Sequence, residues 1–130
     1  MIGTGTPQSK DVREIQLAKS AVRAGVETLI RRYGLGYEDI GQVYLAGGMG
    51  FQMNCKAAVS IGLLPPELLD KITAVGNSSL AGAVAALRDR EWQKKLERMI
   101  CNSREIPLAN DPDFNNSYMS HMMFGEEDMF

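Results

Sequence analysis

Ile15, Ala18, Val22, Val26, Leu29 and Tyr33 recur at three- and four-residue steps, the spacing that gathers side chains on one face of a helix. The pattern predicts a helix over residues 9–33 with this apolar stripe turned to the core. Thr6 with Pro7 at the first helical position, or Ser9, supplies its start. Gly34 supplies its stop, because glycine accepts the left-handed backbone that a helix end often requires. Gly25 costs a helix about 1 kcal/mol relative to alanine, which points to a close backbone approach there. Val43-Tyr44-Leu45-Ala46 is a short apolar run ending at Gly47-Gly48-Met49-Gly50, and it reads as a buried strand entering a tight turn.

Farther along, residues 53–61 predict a short helix stopped by Gly62, and Pro65-Pro66 open another turn or helix through Leu69. Ile72-Thr73-Ala74-Val75 is a second candidate strand, followed by Gly76-Asn77 and the small-residue helix SSLAGAVAALR. A polar helix from about Arg90 to Cys101 is expected to place Trp92, Leu96, Met99 and Ile100 inward. Ile106-Pro107-Leu108 is extended, its proline confining it to a sheet edge or to no sheet. Asp111-Pro112 then caps a helix with Phe114, Tyr118 and Met122 along one stripe. Two buried parallel strands joined by helical crossovers predict an α/β fold with a short parallel sheet packed with helices. Two strands are few for a sheet, so the chain reads as part of something larger.

Charge changes this picture more than composition does. The 130 residues amount to one ordinary domain. Residues 1–104 carry fourteen basic and ten acidic groups, a net of +4, whereas 105–130 carry six acids and no base. The expected division is a leader (1–8), a body (9–104) and an acidic, methionine-rich tail (105–130) that folds back or docks elsewhere. The overall charge of −2 gives no footprint for nucleic acid. No apolar run is long enough to span a membrane, and the first ten residues lack a signal-peptide core, which suggests a cytoplasmic chain. Cys55 and Cys101 are two isolated thiols and His121 is the one histidine, too few ligands for a structural metal site or a cluster. His121, beside Met122 and Phe124, reads as a half-buried packing residue, and no catalytic residue is assigned.

Two glycine-rich turns are the candidate sites. Gly47-Gly48-Met49-Gly50 follows a strand directly, where backbone N–H groups can approach a ligand, although a tight strand-to-helix turn explains it equally well. It is not a dinucleotide fingerprint, since counting from Gly48 and Gly50 the third position is Met53, and no phosphate-loop string exists. Gly76-Asn77-Ser78-Ser79 ends a strand at a helix start that also favours anions. Gly82 and Ala83, in the helix that follows, give a nearly bare face suited to close packing.

The strings DVREIQLAKSAVRAGVETLI, VYLAGGMG, KAAVSIGLLP and AVGNSSLAGAVAAL, in that order, resemble the C-terminal ATPase domain of reductive activators of corrinoid proteins. The resemblance runs from about Lys10 to Phe124. That family belongs to the actin, sugar-kinase and heat-shock-chaperone ATPase class, so the resemblance implies a partial ribonuclease-H-like subdomain. It implies that Gly47 and Gly48, with Met49 where the family generally has an aromatic residue, are adenosine-motif residues. Gly82 and Ala83 would pack across an interdomain hinge. Gln16, Lys19, Ser20 and Arg23 share a polar face about a quarter-turn from the apolar stripe, and similar ATPases present such groups to adenine and ribose. A solvated face explains Lys19 and Arg23 as well.

The class uses two phosphate-binding hairpins ahead of these motifs, and the family carries a [2Fe-2S] domain; neither is in this chain. The resemblance therefore implies the adenosine side of a nucleotide cleft, with ATP or ADP bound weakly by Gly47, Gly48, Met49, Gln16, Lys19, Ser20 and Asn77. It implies a corrinoid protein or a corrinoid-dependent methyltransferase as partner. The alternative is a non-catalytic interaction or self-association module. A homodimer is expected, because two strands leave an open edge and an uncovered apolar face.

Overall fold

Cap residues and glycines set the helix boundaries in a computed structural model, which describes residues 9–47 and 54–124. The order is α1 (Ser9–Arg32), a 3-10 turn (Tyr37–Asp39), β1 (Val43–Ala46), α2 (Cys55–Ser60) and a 3-10 helix (Pro66–Lys71). Then come β2 (Ile72–Gly76), α3 (Ser78–Arg88), α4 (Arg90–Asn102) and α5 (Pro112–Ser120). Asn54 caps α2, Asn77 caps α3 and Asp89 caps α4, each through a side-chain oxygen accepting backbone N–H groups. Asp111 does the same for α5, with Pro112 in its first turn as expected. Gly34 and Gly62 follow α1 and α2 at the predicted stops, both with positive φ.

The chain divides into two compact units. The first takes residues up to 41, 54–70 and 107 onward; the second takes 42–53 and 71–106.

The first unit is built from α1, α2 and α5. Its core is Ala24, Ala58, Leu64 and Leu68 with Thr28 and Ser20. Here the expected apolar stripe of α1 is corrected: Ile15, Val22, Leu29 and Tyr33 are exposed, Tyr33 at 79%. The buried positions are Lys19, Ser20, Ala24, Gly25 and Thr28. Small side chains let the 107–124 segment approach the helix axis, which larger aliphatic residues would hold off. Gly25 is buried against Leu108, whose Cδ1 would meet an added Cβ at 3.7 Å, an ordinary packing distance rather than the close backbone approach expected.

The second unit holds the sheet. β1 and β2 are parallel, as predicted, pairing Val43 with Ile72, Tyr44 with Thr73 and Leu45 with Ala74 before a shift to Ala46 with Gly76. Gln42 Nε2 pins the strand starts, donating to Lys71 O at 2.6 Å and Thr73 Oγ1 at 2.7 Å. The strands were expected to be buried, and they are not: Tyr44 is 67% exposed and Thr73, Ala74 and Val75 are also exposed. On α4, Trp92, Met99 and Ile100 are exposed and Leu96 is half-buried, so that expected inward stripe is also corrected. The reason is physical. A two-stranded sheet with α3 and α4 is too thin to enclose a core, and among the described residues of this unit none is fully buried.

Gly82 in α3 meets nothing within 4 Å of the Cβ it lacks. Gly82→Ala should therefore stabilise this chain by up to ~1 kcal/mol through helix propensity, seen as a higher thermal midpoint. A lower midpoint would reveal a neighbour pressed against that face.

Candidate functional site

Lys19 projects from α1 yet is only 2% exposed. Its ammonium donates to Met123 O at 3.0 Å and lies 4.7 Å from the centre of the Phe124 ring. A lysine so buried needs a hydrogen-bond partner to stay charged. One turn on, the Ser20 hydroxyl donates to Gln16 O at 2.6 Å. Arg23 reaches two ways, its Nε donating to Glu27 Oε1 at 2.7 Å and Nη1 to Leu64 O at 3.0 Å. A solvated face is thus excluded for Lys19, and Arg23 is mostly buried.

Glu27 gathers the rest of the first unit. It accepts from the Ser117 hydroxyl at 2.6 Å and the Tyr37 hydroxyl at 3.3 Å, and His121 Nε2 lies 3.0 Å from Oε2. Burial pushes this carboxyl up, but hydrogen bonds from Ser117, Arg23 and His121 outweigh it, lowering the pKa from 4.5 to about 2. Burial, and then the Glu27 charge, push the Tyr37 phenol up. Below this hub, Asp111 Oδ1 caps α5 while Oδ2 accepts from Arg32, whose guanidinium holds the Asp111 carboxyl below its usual range.

A cavity of about 290 Å³ opens beside these groups, lined by Lys19, Arg23, His121 and Phe124 with Val59 and Pro66 among its walls. A guanidinium, an amine and an aromatic ring along one wall suit an anionic or flat polar guest.

In the second unit, Gly47 and Gly76 close the two strands with φ of 93° and 67°, and Gly47 N donates to Gly76 O at 2.6 Å. Only glycine enters that region without strain. Nothing lies within 4 Å of the Cβ that Gly47 lacks, which leaves the space a ligand approaching the backbone would need. Asn77 caps α3 through Leu80 N at 3.0 Å, and Gly82 and Ala83 lie on that helix. Gly48 and Met49 lie outside the described residues. The structure thus brings Gln16, Lys19 and Ser20 together in the first unit, and Gly47 and Asn77 in the second. Among the described residues no group of acids, cysteines and histidine could hold a metal ion, and no helix is long and apolar enough to cross a membrane.

Sequence reading missed the Glu27 hub. Its one local trace is the four-residue spacing of Arg23 and Glu27, which reads as an ordinary surface pair. His121 is half-buried as expected, but it is tied to a carboxylate rather than merely packed.

The chain is α/β, with helices and a short parallel sheet whose strands end in glycine turns. The family described as the C-terminal domain of RACo, the ASKHA domain, matches residues 6–130, and the chain belongs to that family. Corrinoid activation enzyme RamQ of Eubacterium limosum is 36% identical over 125 residues, 92% of this chain and 20% of that protein. The [Co(II) methylated amine-specific corrinoid protein] reductase of Methanosarcina barkeri is 30% identical over 92% of this chain and 22% of its own length. A solved reductive activator for corrinoid,iron-sulfur protein superposes with a TM-score of 0.80 at 34% identity, covering 87% of this chain and 18% of that one. The chain therefore spans about a fifth of the length of the relatives it matches.

The depressed Glu27 pKa fixes a pH dependence. Because the folded value lies below the ordinary one, the carboxylate stabilises the fold fully above pH 4.5, and that contribution fades as pH falls towards about 2. Urea unfolding of wild type and Glu27→Gln should show a gap at pH 7 that narrows by on the order of 3 kcal/mol by pH 2. A gap that stays constant with pH would rule out an ionised, paired Glu27.

Proposed function

We propose that this chain is the nucleotide-binding part of an ATP-dependent reductive activator of corrinoid proteins, supplying the adenosine side of the cleft. The observation that carries this reading is the family match over residues 6–130, together with relatives named for corrinoid activation. In the whole protein, an iron–sulfur cluster carried by another domain would pass one electron to cobalt(II), giving cobalt(I). Bound nucleotide would supply a conformational bias. The partner is then a corrinoid protein or a corrinoid-dependent methyltransferase in the cytoplasm. This chain alone catalyses neither step.

Gln16, Lys19 and Ser20 from the first unit, and Gly47, Gly48, Met49 and Asn77 from the second, are the proposed nucleotide contacts. The open space at Gly47 supports its part of that assignment, and Gly82 and Ala83 are the proposed packing surface towards a further domain. Each charge-assisted hydrogen bond that the phosphate side would add is worth roughly 1.5–3 kcal/mol, so binding is weak here. Calorimetry with ADP and ATP should give dissociation constants near millimolar, abolished by Gly48→Val, whose branched side chain would meet the ribose. No heat at millimolar nucleotide, with no NMR shift at Lys19 or Gly47, would overturn the reading.

The exposed apolar residues of the second unit favour a second reading, a docking or self-association module. Leu87 is 85% and Ile100 72% exposed, and such surface is commonly covered by a two-fold copy. Sedimentation of the intact chain should show a dimer that survives high salt, because apolar burial is not screened. A monomer at all concentrations would remove this reading.

A further inference from the structure

We propose that His121 and Arg23, both anchored on Glu27, form a hydroxyl-binding pair in the cavity of the first unit. His121 Nδ1 accepts the guest's O–H, and the free end of the Arg23 guanidinium donates to its oxygen. The inference rests on the proposed nucleotide reading, which makes the guest a ribose hydroxyl. It adds His121 and Arg23 as contacts and Glu27 as the residue that positions them.

The tautomer of His121 follows from what Glu27 can do. Nε2 lies 3.1 Å from Oε1 and 3.0 Å from Oε2 of that carboxylate. The same two oxygens accept from Arg23, Ser117 and Tyr37, and an ionised carboxylate offers acceptors alone. The hydrogen between the two side chains is therefore on Nε2. In the neutral ring Nδ1 is then a bare acceptor. Among the described residues Nδ1 has no hydrogen-bond partner, and the side chain is 29% exposed.

Arg23 supplies the complementary half. Its Nε donates to Glu27 Oε1 at 2.7 Å and its Nη1 to Leu64 O at 3.0 Å. A guanidinium has more N–H donors than these bonds use, and Nη2 has no partner among the described residues.

Both residues line the cavity of about 290 Å³, with Ser120 beside them and Val59 and Pro66 as apolar wall. That volume is at the small end of ligand pockets, which suits a sugar ring better than a whole nucleotide. An acceptor and a donor fixed on a common carboxylate select a group that is both donor and acceptor. A hydroxyl is that group, whereas a base amine only donates and a carbonyl or phosphate oxygen only accepts. The carboxylate fixes the tautomer and the orientation of the ring, as it does for histidines that hold metals.

Two ligands and one variant of the intact chain test this: ADP, ADP lacking both ribose hydroxyls, and His121→Gln. The glutamine amide keeps a donor for Glu27 at the place of Nε2 but has no counterpart of Nδ1. Long-range nitrogen–proton NMR of wild type should show the neutral ring protonated at Nε2. Its Nδ1 resonance should move when ADP is added and stay when the hydroxyl-free analogue is added. Wild type should prefer ADP over the analogue, and His121→Gln should lose roughly two- to tenfold of that preference, the worth of one neutral hydrogen bond. A ring protonated at Nδ1 would overturn the inference, as would an equal Nδ1 response to both ligands or a preference that survives in the variant. Each of these leaves nucleotide binding intact. If the variant unfolds, the NMR arm on wild type decides alone. Failure of wild type to bind ADP at all would overturn the nucleotide reading, and this inference with it.

Discussion

One carboxylate holds the first unit together. Glu27 sits in the C-terminal third of α1 and accepts hydrogen bonds from Arg23, Ser117 and Tyr37, with His121 at 3.0 Å. Those four residues come from α1, the 3-10 turn after it, α5 and the residue that ends α5. Removing one member of such a buried pair leaves the other charge uncompensated, which commonly costs 3–5 kcal/mol. Arg23 carries the same constraint on to Leu64 O, next to the buried residues Leu64, Pro65 and Leu68. Two residues beyond His121, the Met123 carbonyl accepts from Lys19 at 3.0 Å.

The hub explains why parts of the fold were legible in the sequence and others were not. Strand positions, helix caps at Asn77 and Asp111, and the stops at Gly34 and Gly62 depend on a few adjacent residues, and all appear where local rules place them. The buried face of α1 depends on a segment about eighty positions away. Periodicity identified the apolar stripe correctly as a stripe, but burial went to the side lined by Ala24, Gly25 and Thr28 because α5 needed close approach and polar partners there. Of the candidate site, Lys19 and Ser20 were legible as one helix face, whereas the partner of Lys19 was not, since no local pattern links it to Met123. Glu27 was invisible for the same reason.

The two units solve the burial problem differently. The first encloses small aliphatic residues and satisfies its charges internally. The second exposes Tyr44, Val75, Leu87 and Ile100 and has no fully buried described residue. Such a surface leaves apolar area that a covering partner would bury. The glycines ending both strands stay strained for any other residue whatever lies beside them, because their constraint is in the backbone.

The way the chain threads these units bears on its synthesis. Helix α1 leaves the ribosome before the residues it is tied to, which lie far downstream: Arg32 to Asp111, Glu27 to Ser117 and His121, Lys19 to Met123. Contacts of such long sequence separation form slowly and only after the intervening chain exists. Until those residues emerge, the polar groups of α1 that the finished fold hides stay in contact with solvent or with chaperones. The sheet needs only residues 43–76 and can pair well before that. A nascent chain stalled before Asp111 would thus leave α1 still waiting for its lock.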